Sequence, residues 1–261
     1  MNELNVLFRK RIGIPVHQEL SFEDLPSILV KTGTTIPFEN LGVITKKNKA
    51  ITKENLVNKI LVRNEGGLCY ELNTLLYFFL LDNGFDIKLA RGVVYNHVDQ
   101  VWGAIGRTHV TILLNYGNKQ YLVDSGFAGN IPLRPVPLDG EIVRSSNGDF
   151  QVQKTATNYG DYILKLKLNH KDVDWRIGYA FDSKQIVDDL SQLNDIQTII
   201  CENPGSSFNK SYLINILTSD GSLTLTDTSF TQWKNGKVEK EKIESEQFKQ
   251  LAMKHFGITN L

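Results

Sequence analysis

The spacing of the apolar residues changes near residue 86, and that change restricts the fold more than any other feature of the chain. Before it, Leu72, Leu75, Leu76, Phe79 and Leu80 recur at helical spacing, and Asn83-Gly84 is a natural stop. Ser21 before Phe22-Glu23-Asp24-Leu25, and Thr52 before Leu56, Ile60 and Leu61, suit helix N-caps. Pro37 fits a helical start or an extended entry better than a helix interior. After residue 86 come short apolar runs: Leu89–Tyr95, Val110–Leu114, Tyr121–Val123, Phe150–Val152 and Tyr162–Leu168. Gly, Asn and Asp separate them, which predicts strands. From about residue 184 the pattern is mixed. Leu213–Leu217 and Leu223–Leu225 predict a hairpin turning at Ser219-Asp220-Gly221-Ser222, and a charged helix from about Glu241 to His255 closes the chain. The expectation is an α+β protein in three segments, 1–85, 86–183 and 184–261.

Charge narrows the function classes. The 29 basic and 29 acidic residues cancel, so no broad basic field exists for nucleic acid or an anionic membrane. A small anion held by a few local donors remains open. No apolar stretch reaches the roughly 18–20 residues that span a bilayer. Met1-Asn2-Glu3-Leu4 does not resemble the start of a signal peptide, so a cytoplasmic location is expected. The two cysteines, Cys69 and Cys201, fit no zinc spacing; no metal is expected, and both read as free thiols.

Cys69 stands apart because it opens a predicted helix directly after Gly66-Gly67. A thiol attacks as thiolate, and aligned peptide dipoles at a helix N-terminus favour negative charge. The glycines let the backbone bend and let a substrate approach. The ordinary alternative is an inert buried cysteine, which is how Cys201 reads. Among five histidines, His17, His170 and His255 read as surface and His97 as loop. His109 begins the run Val110–Leu114. Gly117-Asn118 suits a two-residue turn, which sets Tyr116 opposite Lys119. His109 then faces Gly126 and Asp124 faces Thr111, so His109 and Asp124 are diagonal neighbours on one face. A four-residue loop keeps that parity, whereas three or five residues would break it. A carboxylate there can fix the imidazole tautomer and stabilise imidazolium. Asp124 also interrupts an apolar strand, where a carboxylate is costly unless paired. The spacing leaves open whether this hairpin reaches Cys69.

Read together, these residues resemble a known family. Glu65-Gly66-Gly67-Leu68-Cys69-Tyr70-Glu71-Leu72-Asn73 is similar to the nucleophile motif RGGxCxE-x-N of the arylamine N-acetyltransferases. Arg11-Ile12-Gly13 and Ile36-Pro37-Phe38-Glu39-Asn40-Leu41 resemble its N-terminal signatures. Thr108-His109-Val110, Val123-Asp124-Ser125-Gly126-Phe127 and Asn203-Pro204 with Ser207-Phe208 resemble later ones, in the same order. The resemblance implies a helical bundle carrying the cysteine, a β-barrel carrying the histidine and aspartate, and an α/β lid. It implies ping-pong transfer from acetyl-coenzyme A, through Cys69, to an arylamine, hydrazine or arylhydroxylamine, with no permanently bound cofactor. His109 would pair with Cys69 and move protons, and Asp124 would orient His109. Ile105 and Gly106 match positions that contact coenzyme A. Gly126 and Phe127 match the cleft wall, which Phe38 and Phe208 would extend.

Two residues depart from the pattern. Glu65 stands where the family has arginine, and Arg63 is two positions away. If that arginine serves an acid such as Glu39, this chain must satisfy the acid otherwise. Glu65 would also oppose thiolate formation if it points at the sulfur. Ile105 replaces a residue that is often polar. Competing readings are a papain- or transglutaminase-like cysteine hydrolase, an amide synthase using a carrier-protein thioester, and an inactive amine-binding member.

Overall fold

The computed structural model describes residues 2–169 and 171–259. Helix α1 (Glu3–Ile12) is opened by the Asn2 side chain, which accepts the Asn5 N–H, and closed by Gly13. Ser21 precedes a 3-10 turn, Phe22–Asp24, where the Asp24 carboxylate accepts the Ser21 N–H at 2.8 Å. That turn feeds α2 (Leu25–Thr35). Strand β1 (Phe38–Glu39) and the short α3 (Leu41–Ile44) follow. Thr52 caps α4 (Lys53–Leu56), which runs straight into a π-helical turn, Val57–Val62. Helix α5 (Cys69–Asp82) begins at the cysteine and ends at Asn83-Gly84, as its spacing predicts. Leu72, Leu75, Leu76, Phe79 and Leu80 are all buried. So are Tyr70, Asn73 and Thr74, because α5 is covered by helices on one side and by strands on the other.

Nine strands form an antiparallel sheet: β2 (Asp86–Asn96), β3 (Val101–Trp102), β4 (His109–Tyr116), β5 (Lys119–Val123), β6 (Val136–Pro137), β7 (Val143–Arg144), β8 (Gly148–Thr157), β9 (Gly160–Leu168) and β10 (Arg176–Ile186). Their order is β6-β5-β4-β2-β10-β9-β8-β7, with β3 on β2. Strand β6 also packs on β8, so the sheet curls into a nearly closed barrel. Alternation divides the side chains. Val110, Ile112, Leu114 and Val123 pack against the helices, while Leu113, Leu122, Phe150, Leu164 and Phe181 fill the barrel.

Helix α6 (Ser191–Glu202) packs beside α5. A second sheet holds β11 (Leu213–Thr218), β12 (Gly221–Thr226), β13 (Ser229–Lys234) and β14 (Lys237–Lys242), covered by α7 (Ser245–Phe256). Its order is β1-β11-β12-β13-β14, so β1 from the N-terminal part supplies one edge. Mixed helices and antiparallel sheets bear out the α+β expectation.

The β4–β5 register is as the sequence predicts, with Tyr116 opposite Lys119. The β11–β12 hairpin is present but its turn is shorter than expected, only Ser219-Asp220, because Gly221 and Ser222 already pair with Thr218 and Leu217. Several elements differ. Strands β10, β13 and β14 were not read from the pattern, and the last helix starts at Ser245, because Glu241 and Lys242 belong to β14. Asn235 and Gly236, both at positive φ (48° and 77°), turn β13 into β14. The Lys237–Lys242 run is charged because it is an exposed sheet edge, where charge discourages further pairing. Of the histidines read as surface, His17 is exposed, His255 is half-buried with its ring 4.9 Å from Phe230, and His170 lies outside the described residues. Among the described residues no helix is long and apolar enough to cross a membrane.

Candidate active site

The site starts from the backbone around Gly66-Gly67. Gly67 N–H donates to Pro37 O (3.2 Å) and Glu39 N–H donates to Gly67 O (3.0 Å), so β1 lies flat against this loop. A Cβ on Gly66 would run into the Pro37 carbonyl oxygen, and one on Gly67 would sit 2.8 Å from Glu71 Cβ. Both glycines are therefore demanded by close packing; neither has the positive φ of a sharp bend. Leu68 is extended and its N–H donates to Glu71 Oε2 (3.0 Å), which caps α5. Cys69 follows as the first helical residue, buried, with Sγ 3.5 Å from Thr108 O.

His109 and Asp124 reach this point from the barrel. The ladder between β4 and β5 stops at Ile112–Val123, short of the predicted His109–Gly126 pair, yet the two side chains stay on one face. His109 Nε2 lies 2.8 Å from Asp124 Oδ2. The Cys69 sulfur faces the same cavity as the ring and is close enough to favour its charged form. Tyr179 Oη donates to Asp124 Oδ2 (2.7 Å), while Asn73 Nδ2 and the Gly126 N–H donate to Oδ1 (both 2.8 Å). Asn73 Nδ2 also donates to Val110 O (2.7 Å), and Asn73 Oδ1 accepts from Ser125 N–H (2.8 Å). A fully buried carboxylate is tolerable only when so provided.

Burial alone would hold the His109 imidazole down. The charge and hydrogen bond of Asp124, and then the Cys69 sulfur, outweigh it and push the ring up to about 10. Burial would raise the Asp124 carboxyl, but His109, Asn73 and Tyr179 hold it below its ordinary value. The pair is thus an imidazolium and a carboxylate, an arrangement that stabilises a thiolate beside it.

Cys69 and His109 face a cavity of about 580 Å³. Phe38, Ile105, Gly106, Gly126, Phe127 and Phe208 all line it. The Phe38 and Phe208 rings meet edge-on at 5.8 Å, and Phe127 stands 5.2 Å from His109. Gly126 has no room for more: a Cβ would lie 2.7 Å from Cys69 Cα and 2.8 Å from Asn73 Nδ2. Glu65 does not point at the sulfur. It forms a two-point ion pair with Arg63 (2.7 and 2.9 Å). Glu39, the acid that lacks an arginine partner at position 65, is instead paired with Lys59.

Sequence reasoning missed four contributors. Asn73 lies one helical turn after Cys69 on the same face, which is a usable signal. Tyr179 gave none, because β10 itself was not read. Trp102, which lines the cavity between Tyr95 and Tyr159, sits on the two-residue β3. Lys59 lies in the π-helical turn.

A family model described as N-acetyltransferase matches residues 21–260. The chain belongs to the arylamine N-acetyltransferase family. An uncharacterised acetyltransferase of Bacillus subtilis strain 168, YvcN, is 41% identical over 238 residues, covering 91% of each chain. Arylamine N-acetyltransferase C from Bacillus anthracis superposes with a TM-score of 0.94 at 40% identity, over 99% of this chain and all of that one. An arylamine N-acetyltransferase from Bacillus cereus, NAT3, gives 0.94 at 43% identity over the same shares. Its structure is described as revealing a unique Cys-His-Glu catalytic triad. In the present acetyltransferase the carboxylate on the histidine is an aspartate, Asp124. The protein is an acyltransferase, and its chemistry is acetyl transfer.

Proposed function

We propose that this acetyltransferase takes acetyl from acetyl-coenzyme A onto Cys69 and passes it to the nitrogen of an arylamine or hydrazine, or to an arylhydroxylamine, in a ping-pong cycle. The observation that carries the reading is the buried Cys69–His109–Asp124 constellation at the floor of a cavity large enough for a small aromatic molecule. The Cys69 thiolate attacks the thioester carbonyl, and the developing oxyanion is met by backbone N–H groups at the start of α5, including that of Cys69. Coenzyme A leaves and takes the proton held by His109. The acceptor nitrogen then attacks the acetyl-cysteine, His109 accepts its proton, and the Cys69 thiolate departs, restoring the ion pair. Asp124 holds the ring in place throughout. Phe38, Phe127 and Phe208 supply apolar walls for an aromatic acceptor, and Gly106, exposed at φ 71°, leaves open backbone beside Ile105 for the coenzyme. Free thiols and acetyl-coenzyme A as donor both suit the cytoplasm.

Alkylation tests the reading. At neutral pH iodoacetamide should label Cys69 far faster than Cys201, and acetyl-coenzyme A should protect Cys69. Cys69→Ser should abolish coenzyme A release with an arylamine present, while Cys201→Ser should not. Equal labelling of both thiols, or turnover by the Cys69 variant, would remove Cys69 from the mechanism.

A further inference from the structure

The replacement of the family arginine by Glu65 leaves a question of charge, and the structure answers it at another position. Lys59 Nζ lies 2.7 Å from Glu71 Oε1 and 3.1 Å from Glu39 Oε1, with its side chain only 15% exposed. Each glutamate has a second task. Glu71 Oε2 accepts the Leu68 N–H that starts α5, and Glu39 Oε2 accepts the Leu41 N–H. Lys59 therefore ties together β1, which carries Phe38 of the cavity wall, and the first turn of α5, which carries Cys69. Burial opposes its charge, but the two glutamates outweigh burial and raise the ammonium above its ordinary range. Arg63 and Glu65, next along the chain, satisfy each other and take no part.

We infer that Lys59 is a positioning residue for acetyl transfer, supplying from the π-helical turn the cation that residue 65 lacks and fixing the cavity wall against the nucleophile. The wide turn Val57–Val62 is what presents it: Arg63 N–H reaches back to Asn58 O (2.9 Å), a five-residue step. Local π-helical turns are often found where a side chain must be re-aimed. The inference rests on Cys69 being the nucleophile.

The test uses Lys59→Met, which keeps an unbranched apolar stem but no charge, and Lys59→Arg, which restores the charge. The 550 Å³ cavity that Lys59 borders gives the larger guanidinium room. The measurements are coenzyme A release on mixing with acetyl-coenzyme A alone, then kcat and KM with an arylamine. A core variant of equal thermal stability, such as Phe150→Leu, serves as control. Lys59→Met should lower kcat about tenfold or more, as misplacement of reacting groups does. The KM for amine should stay within about threefold, Lys59→Arg should recover most of the rate, and the control should keep it. If Lys59→Met does not fold, Glu39→Gln, which removes one ion pair and keeps an acceptor for Leu41 N–H, should show the same signature more mildly. Unchanged kcat in the folded variant, an equal loss in the control, or no recovery with arginine would overturn the inference. Failure of the parent protein to release coenzyme A would instead strike at Cys69 as nucleophile.

Discussion

Asp124 shows how a single residue can be structurally expensive and yet well placed. Its two oxygens meet four donors, from His109, Tyr179, Asn73 and Gly126. The consequence for stability has a definite sign. His109 keeps its proton in the folded protein up to about 10, whereas an unfolded chain releases it from about 6.5 upward. The stabilisation is therefore complete below about 6.5 and is lost as pH rises through about 10. On the acid side, the lowered Asp124 carboxyl contributes above its ordinary 3.8 and loses that contribution as pH falls through its lower folded value. Melting temperatures between about pH 6 and 10.5 should fall more steeply for the parent than for His109→Gln, with the gap narrowing at the alkaline end. Parallel curves would contradict the ion pair. At this scale Cys69, His109 and Asp124 were legible because each breaks a local pattern: a thiol at a helix start, an imidazole at a strand start, a carboxylate in an apolar strand. Tyr179 and Lys59 were not. A tyrosine in a strand or a lysine in a helix breaks nothing until the fold brings its partner near.

The elements meet at Gly126, where the chain leaving β5 touches the start of α5. A Cβ there would lie 2.7 Å from Cys69 Cα, against backbone that cannot swing aside. Gly126→Ala should cost about 1–3 kcal/mol of stability, as overpacking does. It should also reduce acetyl transfer by about tenfold or more, because any relief moves the sulfur or Asn73. Urea unfolding and coenzyme A release measure the two effects, and a variant unchanged in both would show the contact to be slack. The elements were legible where local chemistry agreed with the tertiary result. Gly117-Asn118 set the register of β4 and β5, and Asn83-Gly84 set the end of α5. Strand β10 was hidden because it lies between β2 and β9 and carries buried residues of both parities, Gly178 to Phe181, with Gly and Asp interrupting it. Strand β14 did carry a signal in Asn235-Gly236. The charges that follow that turn imitate a solvated helix.

Across the whole molecule, β1 is only two residues long yet joins distant parts of the chain. It pairs with β11 on one side and with Gly67 on the other. Next to it Asn40 is buried, donating to Phe208 O and Ser211 O (both 2.8 Å) and accepting from Leu213 N–H (2.7 Å). That clamp holds Phe208 and Leu213, which line the cavity, against the helical part. Asn40→Ala should destabilise the protein by about 2–4 kcal/mol, since it leaves three polar groups without their partner. It should also expose the segment around residues 203–212 to limited proteolysis. A resistant segment and an unchanged melting curve would show that the clamp is dispensable. None of this long-range pairing was readable from local spacing, although Ile36-Pro37-Phe38-Glu39-Asn40-Leu41 stood out as a motif. The contact of Phe38 with Asn215 joins residues 177 positions apart (215 less 38). The entropy of closing such a loop grows only with the logarithm of its length, so doubling the span would cost about 0.6 kcal/mol. The two walls of the cleft are thus joined at a point indifferent to how much chain is strung between them, and barrel loops away from the cleft can change length without altering the gap between those walls.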